Sequence, residues 1–399
     1  MTDLATWVTQ AGLKGRAETI LLSGFCERVV AAGIPLAKAL LIVDTLHPIH
    51  EGRVFRWQLG SHESTLQEYG RTTEGEAAEA WRLSPFYHLW QSGEAFLQRR
   101  LMPDSAIDFP ILEEMRATGI TDYLAMNNRF AADGAIGEMD CILSSWATDA
   151  PGGFGEAAVA ALRRLVPFLA LAVKSASLGR IAETLVETYL GRDAGRRVLS
   201  GRISRGVAEK IGAVLWFSDL RGYTKITDTA PPEQIIPLLN DYADAVISAI
   251  HEEGGEVLKL IGDGTLAIFQ AADRDRACRC ALAAAASARN RITALNQTRA
   301  AQDLPITKIY LGLHVGEVFY GNVGSKDRLD FTVVGPAVNE ASRIAAMCRS
   351  VDQDMLLSSA FAAAAGSDRK RLISVGRYAL RGVGRPQELF TLEPDPISG

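Results

Sequence analysis

This sequence lacks any stretch that is long and apolar enough to cross a membrane as a helix. The most apolar run, LVPFLALAV at residues 165–173, is far shorter than the roughly 20 residues that such a helix needs. The first residues, MTDLATWVTQAGLKGR, also lack the basic start and apolar centre of a secretory signal. We therefore expect a soluble, cytoplasmic protein that has no membrane partner.

Cysteine is scarce and scattered. The five cysteines are Cys26, Cys141, Cys278, Cys280 and Cys348, and no pair shows the CxxC spacing. A disulfide framework or a zinc site would need more regular spacing. Reduced thiols in a cytoplasmic protein are the simplest interpretation.

Basic residues are not in excess, since 42 Lys and Arg are set against 47 Asp and Glu, for a net charge of −5. This balance argues against a general nucleic-acid-binding protein, although it leaves room for a local basic pocket that holds a phosphorylated substrate. The hydrophobic share of 48% and the charged share of 22% are ordinary for a globular protein. A length of 399 residues favours two domains.

The first region, residues 1–175, mixes helical and strand-like patterns. ILLSGFCERVVAAG is typical of a helix and KALLIVDTL of a strand. DYLAMNNRF and EMDCILSSWATD predict two strands around a turn at Asp133 and Gly134. EAAVAALRRLVPFLALAVKSAS repeats apolar residues at intervals of three and four, which predicts a closing helix. This order predicts an α+β sensory fold.

The second region, residues 176–206, is rich in Arg and Gly. Leu178, Ile181, Leu185 and Tyr189 recur at helical spacing. We interpret them as one face of a linker helix that pairs with the same helix of a second chain, followed by a glycine-containing connector. The alternative is a plain linker.

The third region, residues 207–399, alternates strands and helices. AVLWFSD predicts a buried strand, PPEQIIPLLNDYADAVISAIHEEGG a helix, and GEVLKLIGDGTLAIF a tight hairpin. RDRACRCALAAAASARNRITALN then predicts a long helix, and ITKIYLGLHVGEVFYGNVG a further pair of strands. FTVVGPAVNEASRIAAMC predicts a strand that enters a helix. The order strand, helix, strand, strand, helix, strand predicts a ferredoxin-like core.

Two carboxylates stand out in this region. Asp219 follows the buried strand, and Asp263 lies in the Gly-Asp-Gly turn of the hairpin. In a ferredoxin-like sheet the first strand lies beside the hairpin, so these carboxylates are expected to converge. Such a pair suits Mg²⁺ or Mn²⁺ when substrate phosphates complete the coordination shell. The alternative is that each Asp serves only its turn.

Four segments resemble the catalytic domain of the class III nucleotide cyclases. FSDLRGYT, EVLKLIGDG, FTVVGPAVNEASR and LRGVG occur in the family's order, and the resemblance covers about residues 207–393. It implies an adenylate cyclase that converts ATP to 3′,5′-cyclic AMP and pyrophosphate. It also implies that Asp219, Leu220 and Asp263 form the metal site, which takes two Mg²⁺ or Mn²⁺ ions.

The resemblance further assigns residues that select the base. Lys259, four residues before Asp263, matches the lysine that recognises adenine, and Thr332, seven residues before Asn339, matches the second base-recognition position. A subgroup of the family has Thr or Ser there, and several of its members respond to bicarbonate. Lys259 would donate to N1 of adenine and Thr332 would accept from its amino group. Guanine reverses this pattern, and an unpaired buried polar group costs about 1–3 kcal/mol.

The remaining site residues implied by the resemblance act on the ribose and the phosphates. Asn339 matches the residue that positions the ribose, and Arg343 matches the arginine that stabilises the transition state. These two residues are four apart and share one face of a helix. Arg381, beside a glycine, matches a basic residue that holds the terminal phosphates.

In this family the site lies between two catalytic domains, and this single domain has both sets of residues. The resemblance therefore implies a homodimer, joined through the catalytic domain and the linker helix, whose monomer is inactive. Residues 1–175 resemble a GAF domain weakly, which implies an unidentified small-molecule or protein regulator. The alternatives are a catalytically inactive nucleotide-binding module and a guanylate cyclase. The expected fold class is α+β throughout, with a linker at residues 176–206 and a cyclase domain at residues 207–399.

Overall fold

The computed structural model of the protein describes residues 2–61, 64–71, 74–130, 136–137, 139–270 and 273–393. The chain divides into two compact units, Met1–Leu185 and Val186–Gly399. None of the helices in these described ranges has both the length and the apolarity to span a membrane. The turn predicted at Asp133 and Gly134 lies outside the described residues.

The N-terminal unit combines helices with one sheet. Its helices are α1 (Thr2–Leu13), α2 (Glu18–Ala31), α3 (Glu76–Arg82), α4 (Pro85–Ser92), α5 (Pro110–Ala117) and α6 (Glu156–Leu190). Its strands are β1 (Lys38–Asp44), β2 (His50–Gln58), β3 (Thr65–Gly70), β4 (Phe96–Arg100), β5 (Asp122–Arg129) and β6 (Cys141–Thr148). These strands pair antiparallel in the order β3-β2-β1-β6-β5-β4.

Both faces of this sheet are covered, because its strands carry apolar side chains on alternate positions. In β1, Leu41 and Val43 belong to a core shared with α1, α2 and α6. Leu40 and Ile42 lie on the opposite face and pack against a second core with α4 and α5. The predicted mixture of helix and sheet is confirmed, and the likeness to a GAF domain stays a prediction.

The stripe that we assigned to a partner helix packs largely within its own unit. Ile181 is 2% exposed in the core of the N-terminal unit, and Leu178 and Leu185 pack partly buried against the same core. Tyr189 alone of the four is exposed. Much of this stripe is therefore used within its own unit, and its pairing with a second chain stays a prediction. The apolar spacing is real, but the nearest apolar surface belongs to the same chain.

The C-terminal unit begins with a short helix and continues as a sheet covered by helices. Its helices are α7 (Arg192–Leu199), α8 (Tyr223–Thr229), α9 (Ile235–Glu252), α10 (Arg274–Ala300), α11 (Pro336–Val351) and α12 (Ser359–Ala364). Its strands are β7 (Ala208–Leu220), β8 (Glu256–Ile261), β9 (Gly264–Phe269), β10 (Ile309–Gly324), β11 (Leu329–Val334), β12 (Met355–Ser358), β13 (Leu372–Tyr378) and β14 (Gln387–Leu392). The predicted glycine-containing connector therefore includes a helix, α7. Its Ala194 is buried in a core with β7.

The sheet of this unit has the order β13-β14-β12-β10-β7-β9-β8, and β11 pairs with β10. Its centre, β10-β7-β9-β8 with α9 and α10, has the predicted ferredoxin-like connectivity. One element differs, because ITKIYLGLHVGEVFYGNVG contains the single strand β10 and not a pair of strands. Residues Ile309–Gly321 of β10 follow β7 along its whole length, and Phe319–Gly324 pair with β11. A long neighbouring strand therefore keeps this segment extended through its glycines.

Candidate active site

The two predicted carboxylates meet at one edge of the central sheet. Asp219 is the last residue but one of β7, and Asp263 lies in the short turn between β8 and β9. Strands β7 and β9 are antiparallel neighbours, with Ser218 opposite Thr265. The backbone N–H of Leu220 donates to Asp263 Oδ2 at 3.2 Å. The structure therefore brings Asp219, Leu220 and Asp263 together, as the strand order predicts.

The glycines that flank Asp263 permit this close approach. Gly262 has φ +62°, in the region that favours glycine. A Cβ added at Gly264 would lie 2.9 Å from the carbonyl oxygen of Ser218 and 3.6 Å from Asp219 Oδ1. A side chain at position 264 would therefore push β9 away from the end of β7. The Gly-Asp-Gly sequence is needed both for the turn and for the contact between the carboxylates.

Asp219 and Asp263 carry charges of the same sign, whereas the partners of a structural ion pair carry opposite charges. Burial, a hydrogen bond with the Asp263 carboxyl group and the negative charge of Asp263 raise the pKa of Asp219 to about 6, against a smaller opposing effect of the Leu220 N–H. Two like charges at short range disfavour the ionised form of at least one of them. A bound cation would remove this repulsion.

The donor set fits a hard divalent cation. Carboxylate and backbone oxygens are the ligands that Mg²⁺ and Mn²⁺ prefer. Within the described part of the chain, no group of three or more His, Cys, Asp or Glu side chains could hold a metal by itself. A cation at Asp219 and Asp263 would therefore depend on other oxygens, such as those of substrate phosphates, to complete its shell.

A pocket of about 180 Å³ opens beside the carboxylates. Its polar lining comes from Ser218, Asp219, Asn240, Asp263 and Thr265, and α9 contributes much of the apolar wall. Pockets that enclose a drug-sized ligand usually measure about 300–1,000 Å³. This pocket is thus large enough for ions and phosphate groups, whereas a whole nucleotide would extend beyond it.

The two predicted base-recognition residues lie on β8 and β11, two strands that do not pair with each other, and a third residue joins them. Lys259 of β8 forms an ion pair with Asp330 of β11, a residue that the sequence analysis missed. Thr332 lies two positions further along β11 and is half-buried. Residues two apart on a strand point to the same face, so Asp330 and Thr332 share a face. This alternation is the sequence signal that would have drawn attention to Asp330.

Asn339 and Arg343 lie one turn apart on α11, as predicted. Asn339 is exposed and Arg343 is half-buried. The Arg343 guanidinium lies against the turn that contains Arg381 and Gly382, since a Cβ added at Gly382 would be 3.3 Å from Arg343 Nη2. The structure therefore places the Arg343 guanidinium beside the residue that follows Arg381.

The structure does not gather all of the predicted residues around one pocket. The pocket at the carboxylates is lined by Asp219, Leu220 and Asp263. The other five predicted residues are all described, and none of them lines it: Lys259, Thr332, Asn339, Arg343 and Arg381. Within one chain, these five residues therefore do not border the pocket at the carboxylates.

A buried network lies next to Asn339. His314 of β10 is 6% exposed, its Nδ1 lies 2.9 Å from Ser358 Oγ, and its Nε2 lies 3.7 Å from Glu340 Oε2. Gln387 Nε2 donates to the same Glu340 oxygen at 2.9 Å. Burial lowers the pKa of His314, although the charge of Glu340 acts in the opposite direction. The His314 side chain therefore connects β10 to α11 and helps to hold the helix that carries Asn339.

Comparison with known proteins identifies the fold of this region. The family model described as the adenylate and guanylate cyclase catalytic domain matches residues 207–393, which are just under half of the chain. The matched segment contains every predicted site residue. Residues 207–393 are therefore similar to the adenylate and guanylate cyclase catalytic domain.

Curated relatives match over the same region. An adenylate cyclase of Anabaena cylindrica is 36% identical over 160 residues, which are 39% of this chain and 31% of that protein. An uncharacterised protein of Mycobacterium tuberculosis is 33% identical over 210 residues, which are 51% of this chain and 36% of that protein. The chain thus spans about a third of the length of these relatives.

Solved structures of cyclases are also similar. The adenylyl cyclase CyaB of P. aeruginosa is 23% identical over 48% of this chain and 98% of its own, with a TM-score of 0.44. The guanylyl cyclase Cya2 is 26% identical over 48% of this chain and 97% of its own, with a TM-score of 0.41.

Proposed function

We propose that this protein is an adenylate cyclase that converts ATP to 3′,5′-cyclic AMP and pyrophosphate. The observation that carries the proposal is the meeting of Asp219 and Asp263 at a small pocket within residues 207–393, the segment that matches the cyclase catalytic domain. The relative from Anabaena cylindrica, named adenylate cyclase, supports the choice of ATP.

Asp219, Asp263 and the backbone of Leu220 would hold two Mg²⁺ or Mn²⁺ ions. When bound, these ions would favour ionisation of the ribose 3′-hydroxyl group and neutralise the charge of the triphosphate. The contribution of the chain is to keep two carboxylates at a fixed separation on the rigid ends of β7 and the β8–β9 hairpin. Their mutual repulsion in the absence of a cation favours cation binding.

Two side chains would select adenine. Lys259 would donate a hydrogen bond to N1 of the ring, and Thr332 would accept one from the amino group. Guanine offers a donor where adenine offers an acceptor, and the resulting unpaired groups would cost about 1–3 kcal/mol. This difference corresponds to a preference for ATP of about 5- to 150-fold.

The residues of α11 and the turn after β13 would act on the sugar and phosphates. Asn339 would position the ribose so that its 3′-hydroxyl group lies in line with the α-phosphorus. Arg343 would donate to the α-phosphate oxygens as negative charge develops on them, and Arg381 would hold the terminal phosphates until pyrophosphate leaves. Because Arg343 lies against the 381–382 turn, both guanidinium groups would reach one triphosphate.

A complete site would need two copies of the chain. The pocket at the carboxylates is too small for a nucleotide, and Lys259, Thr332, Asn339 and Arg343 do not line it. A second copy would supply these four residues opposite the carboxylates of the first. The homodimer would then contain two equivalent sites, and the monomer would have no activity.

The N-terminal unit would regulate this activity. Helix α6 is 35 residues long and extends from this unit into the first residues of the catalytic unit. A ligand or a protein that binds the N-terminal unit would change the rate of cyclic AMP formation.

The test is cyclic nucleotide production by the purified full-length chain. ATP and GTP would be supplied separately with Mg²⁺ or Mn²⁺, and the products would be separated by chromatography. We expect cyclic AMP from ATP and at least about fivefold less cyclic GMP from GTP. Cyclic GMP as the main product would contradict the choice of substrate but keep the reaction class.

Asp263→Ala and Asp327→Ala form a matched pair of variants for this assay. Asp327 is an exposed aspartate in the turn between β10 and β11, far along the chain from the carboxylates. We expect Asp263→Ala to abolish product and Asp327→Ala to retain it. If a folded wild-type protein gave no product from either nucleotide, the proposed activity would be wrong.

A further inference from the structure

The ion pair between Lys259 and Asp330 links two strands that the sheet does not pair. In the described sheet, β8 pairs with β9 and β11 pairs with β10. The two residues are 71 positions apart in the sequence. Their side chains are 43% and 41% exposed, so the pair lies at the surface, where a substrate could reach it.

The burial of β11 shows which way Asp330 points. Phe331 and Val333 are buried in the core beneath the sheet, whereas Asp330 and Thr332 are half-buried on the other face. Asp330 and Thr332 therefore lie side by side, and Lys259 approaches them from β8. A positive donor, a carboxylate and a hydroxyl group thus form one cluster.

An exposed ion pair of this kind adds little to stability. Its effect on binding is different, because a lysine side chain has four rotatable bonds and loses much of its freedom when it is fixed to a ligand. A carboxylate that already restrains the ammonium group reduces this loss on binding. Asp330 is therefore suited to prepare Lys259 for recognition of a base.

The same pair also affects the choice of base. A free carboxylate would accept hydrogen bonds from the N1–H and amino groups of guanine, as acidic residues do from donor groups of bases. Adenine has an acceptor at N1 and would be repelled by that carboxylate. While Asp330 pairs with Lys259, its carboxylate is not free to accept a hydrogen bond from a base. The cluster then offers the base the ammonium donor of Lys259.

We propose that Asp330 is a specificity-determining positioning residue, which holds the ammonium group of Lys259 beside Thr332 and keeps its own carboxylate from guanine. This inference rests on the proposed function, because it assumes that Lys259 recognises a purine base. It adds to that function a residue that acts through Lys259 and not on the reacting atoms.

The experiment compares kcat and KM for ATP and GTP in the full-length protein and its variants. We expect Asp330→Asn to raise KM for ATP about fivefold, to change kcat less than KM, and to lower the preference for ATP over GTP. Asp330→Glu keeps the charge and should restore most of the preference. Thermal unfolding should stay within about 1 °C of wild type, which separates this role from a structural one.

Two further variants make the test specific. Glu317→Gln removes the carboxylate of another exposed pair, Lys210 with Glu317 at 2.8 Å, and should leave kinetics unchanged. In a Lys259→Met background, Asp330→Asn should add less than a twofold change, because Asp330 then has no lysine to position. Independent and equal effects of Asp330→Asn in both backgrounds would overturn the proposal, as would an unchanged KM and an unchanged preference.

Failure of the proposed function would be seen separately. If wild type made no cyclic nucleotide, binding of 3′-deoxy-ATP and 3′-deoxy-GTP, which lack the attacking hydroxyl group, would be measured by calorimetry on the same variants. A weaker preference for the adenine nucleotide in Asp330→Asn than in wild type would still support the role of Asp330. Equal preferences in the two proteins would contradict it.

Discussion

Each unit of the chain holds carboxylates shielded from solvent, one buried glutamate in the N-terminal unit and a half-buried pair of aspartates in the C-terminal unit, and their surroundings differ. In the N-terminal unit, Glu18 is 1% exposed and accepts hydrogen bonds from Arg53 Nη1 at 2.8 Å and Arg180 Nη2 at 3.1 Å. In the C-terminal unit, Asp219 faces a second carboxylate, Asp263.

This difference reverses the direction of the pKa shifts. Burial by itself would raise the pKa of Glu18, but its own backbone N–H and the guanidinium groups of Arg180 and Arg53 lower it below the usual value. Burial also raises the pKa of Asp219, and Asp263 raises it further. A carboxylate paired with cations of the same chain has a structural role, whereas two carboxylates placed together leave a position for a cation from outside.

The largest effect is expected from Asp219→Asn. Removal of one like charge should leave the metal-free protein at least as stable as wild type, while cyclic AMP formation should fall about 100- to 1,000-fold. Mn²⁺ should raise the melting temperature of wild type and not that of the variant. These quantities are measured by product analysis and by thermal unfolding with and without Mn²⁺. A destabilised but active Asp219→Asn protein would instead assign Asp219 a structural role.

Glu18→Gln should destabilise the N-terminal unit by about 3–5 kcal/mol, because it removes the buried carboxylate that pairs with Arg53 Nη1 and leaves Arg53 only the more exposed Glu68, 3.4 Å from its Nε. Urea unfolding followed by tryptophan fluorescence is suitable, since five of the six tryptophans lie in this unit: Trp7, Trp57, Trp81, Trp90 and Trp146. Glu27→Gln, an exposed change on the same helix α2, should cost less than about 0.5 kcal/mol. Equal losses of unfolding free energy in Glu18→Gln and Glu27→Gln would show that the buried carboxylate of Glu18 has no structural role.

The stability conferred by Glu18 should depend on pH. The pKa of Glu18 is lower in the folded protein than in the unfolded chain, so its contribution is fully present above the unfolded value of about 4.3. It is lost as the pH falls through the folded value. The urea midpoints of wild type and Glu18→Gln should therefore converge when measured from pH 7 down to pH 3. A constant difference over this range would show that the charge of Glu18 is unimportant.

The smallest effect is expected from Arg180→Gln. The Arg180 side chain is 44% exposed, whereas that of Arg53 is 7% exposed. Solvent screening should limit the cost of Arg180→Gln to about 1 kcal/mol or less, and Arg53→Gln should cost more. The same urea measurement compares the two variants. The reverse order would mean that burial does not set the strength of these pairs.

Much of the catalytic unit was predictable from local patterns. The buried strand AVLWFSD, the Gly-Asp-Gly hairpin and the helix that starts at Pro336 all occur where the sequence predicts them. Turn residues and apolar periodicity act over a few neighbouring positions, so they are visible in a single sequence. The meeting of Asp219 with Asp263 followed from strand order, because an antiparallel ferredoxin-like sheet has few alternatives.

What local patterns did not show depends on contacts between distant parts of the chain. Periodicity showed that Leu178, Ile181 and Leu185 form one apolar face, but not whether that face packs against its own unit or a second chain. The segment ITKIYLGLHVGEVFYGNVG was predicted as a pair of strands, yet pairing with the long strand β7 keeps β10 continuous. Strand propensity is a weak guide to where a strand ends when pairing with a neighbouring strand keeps the segment extended.

The sequence by itself therefore determined the order of elements, the two carboxylates and the residue types offered to a base and to phosphates. The location of the protein in the cell and the regulator of its N-terminal unit stay predictions. Only the tertiary structure decided that Asp330 engages Lys259, and that Lys259 and Thr332 do not line the pocket at the carboxylates. The physical reason is that side chains 71 residues apart meet only when the strands that carry them have been placed by the packing of the whole sheet.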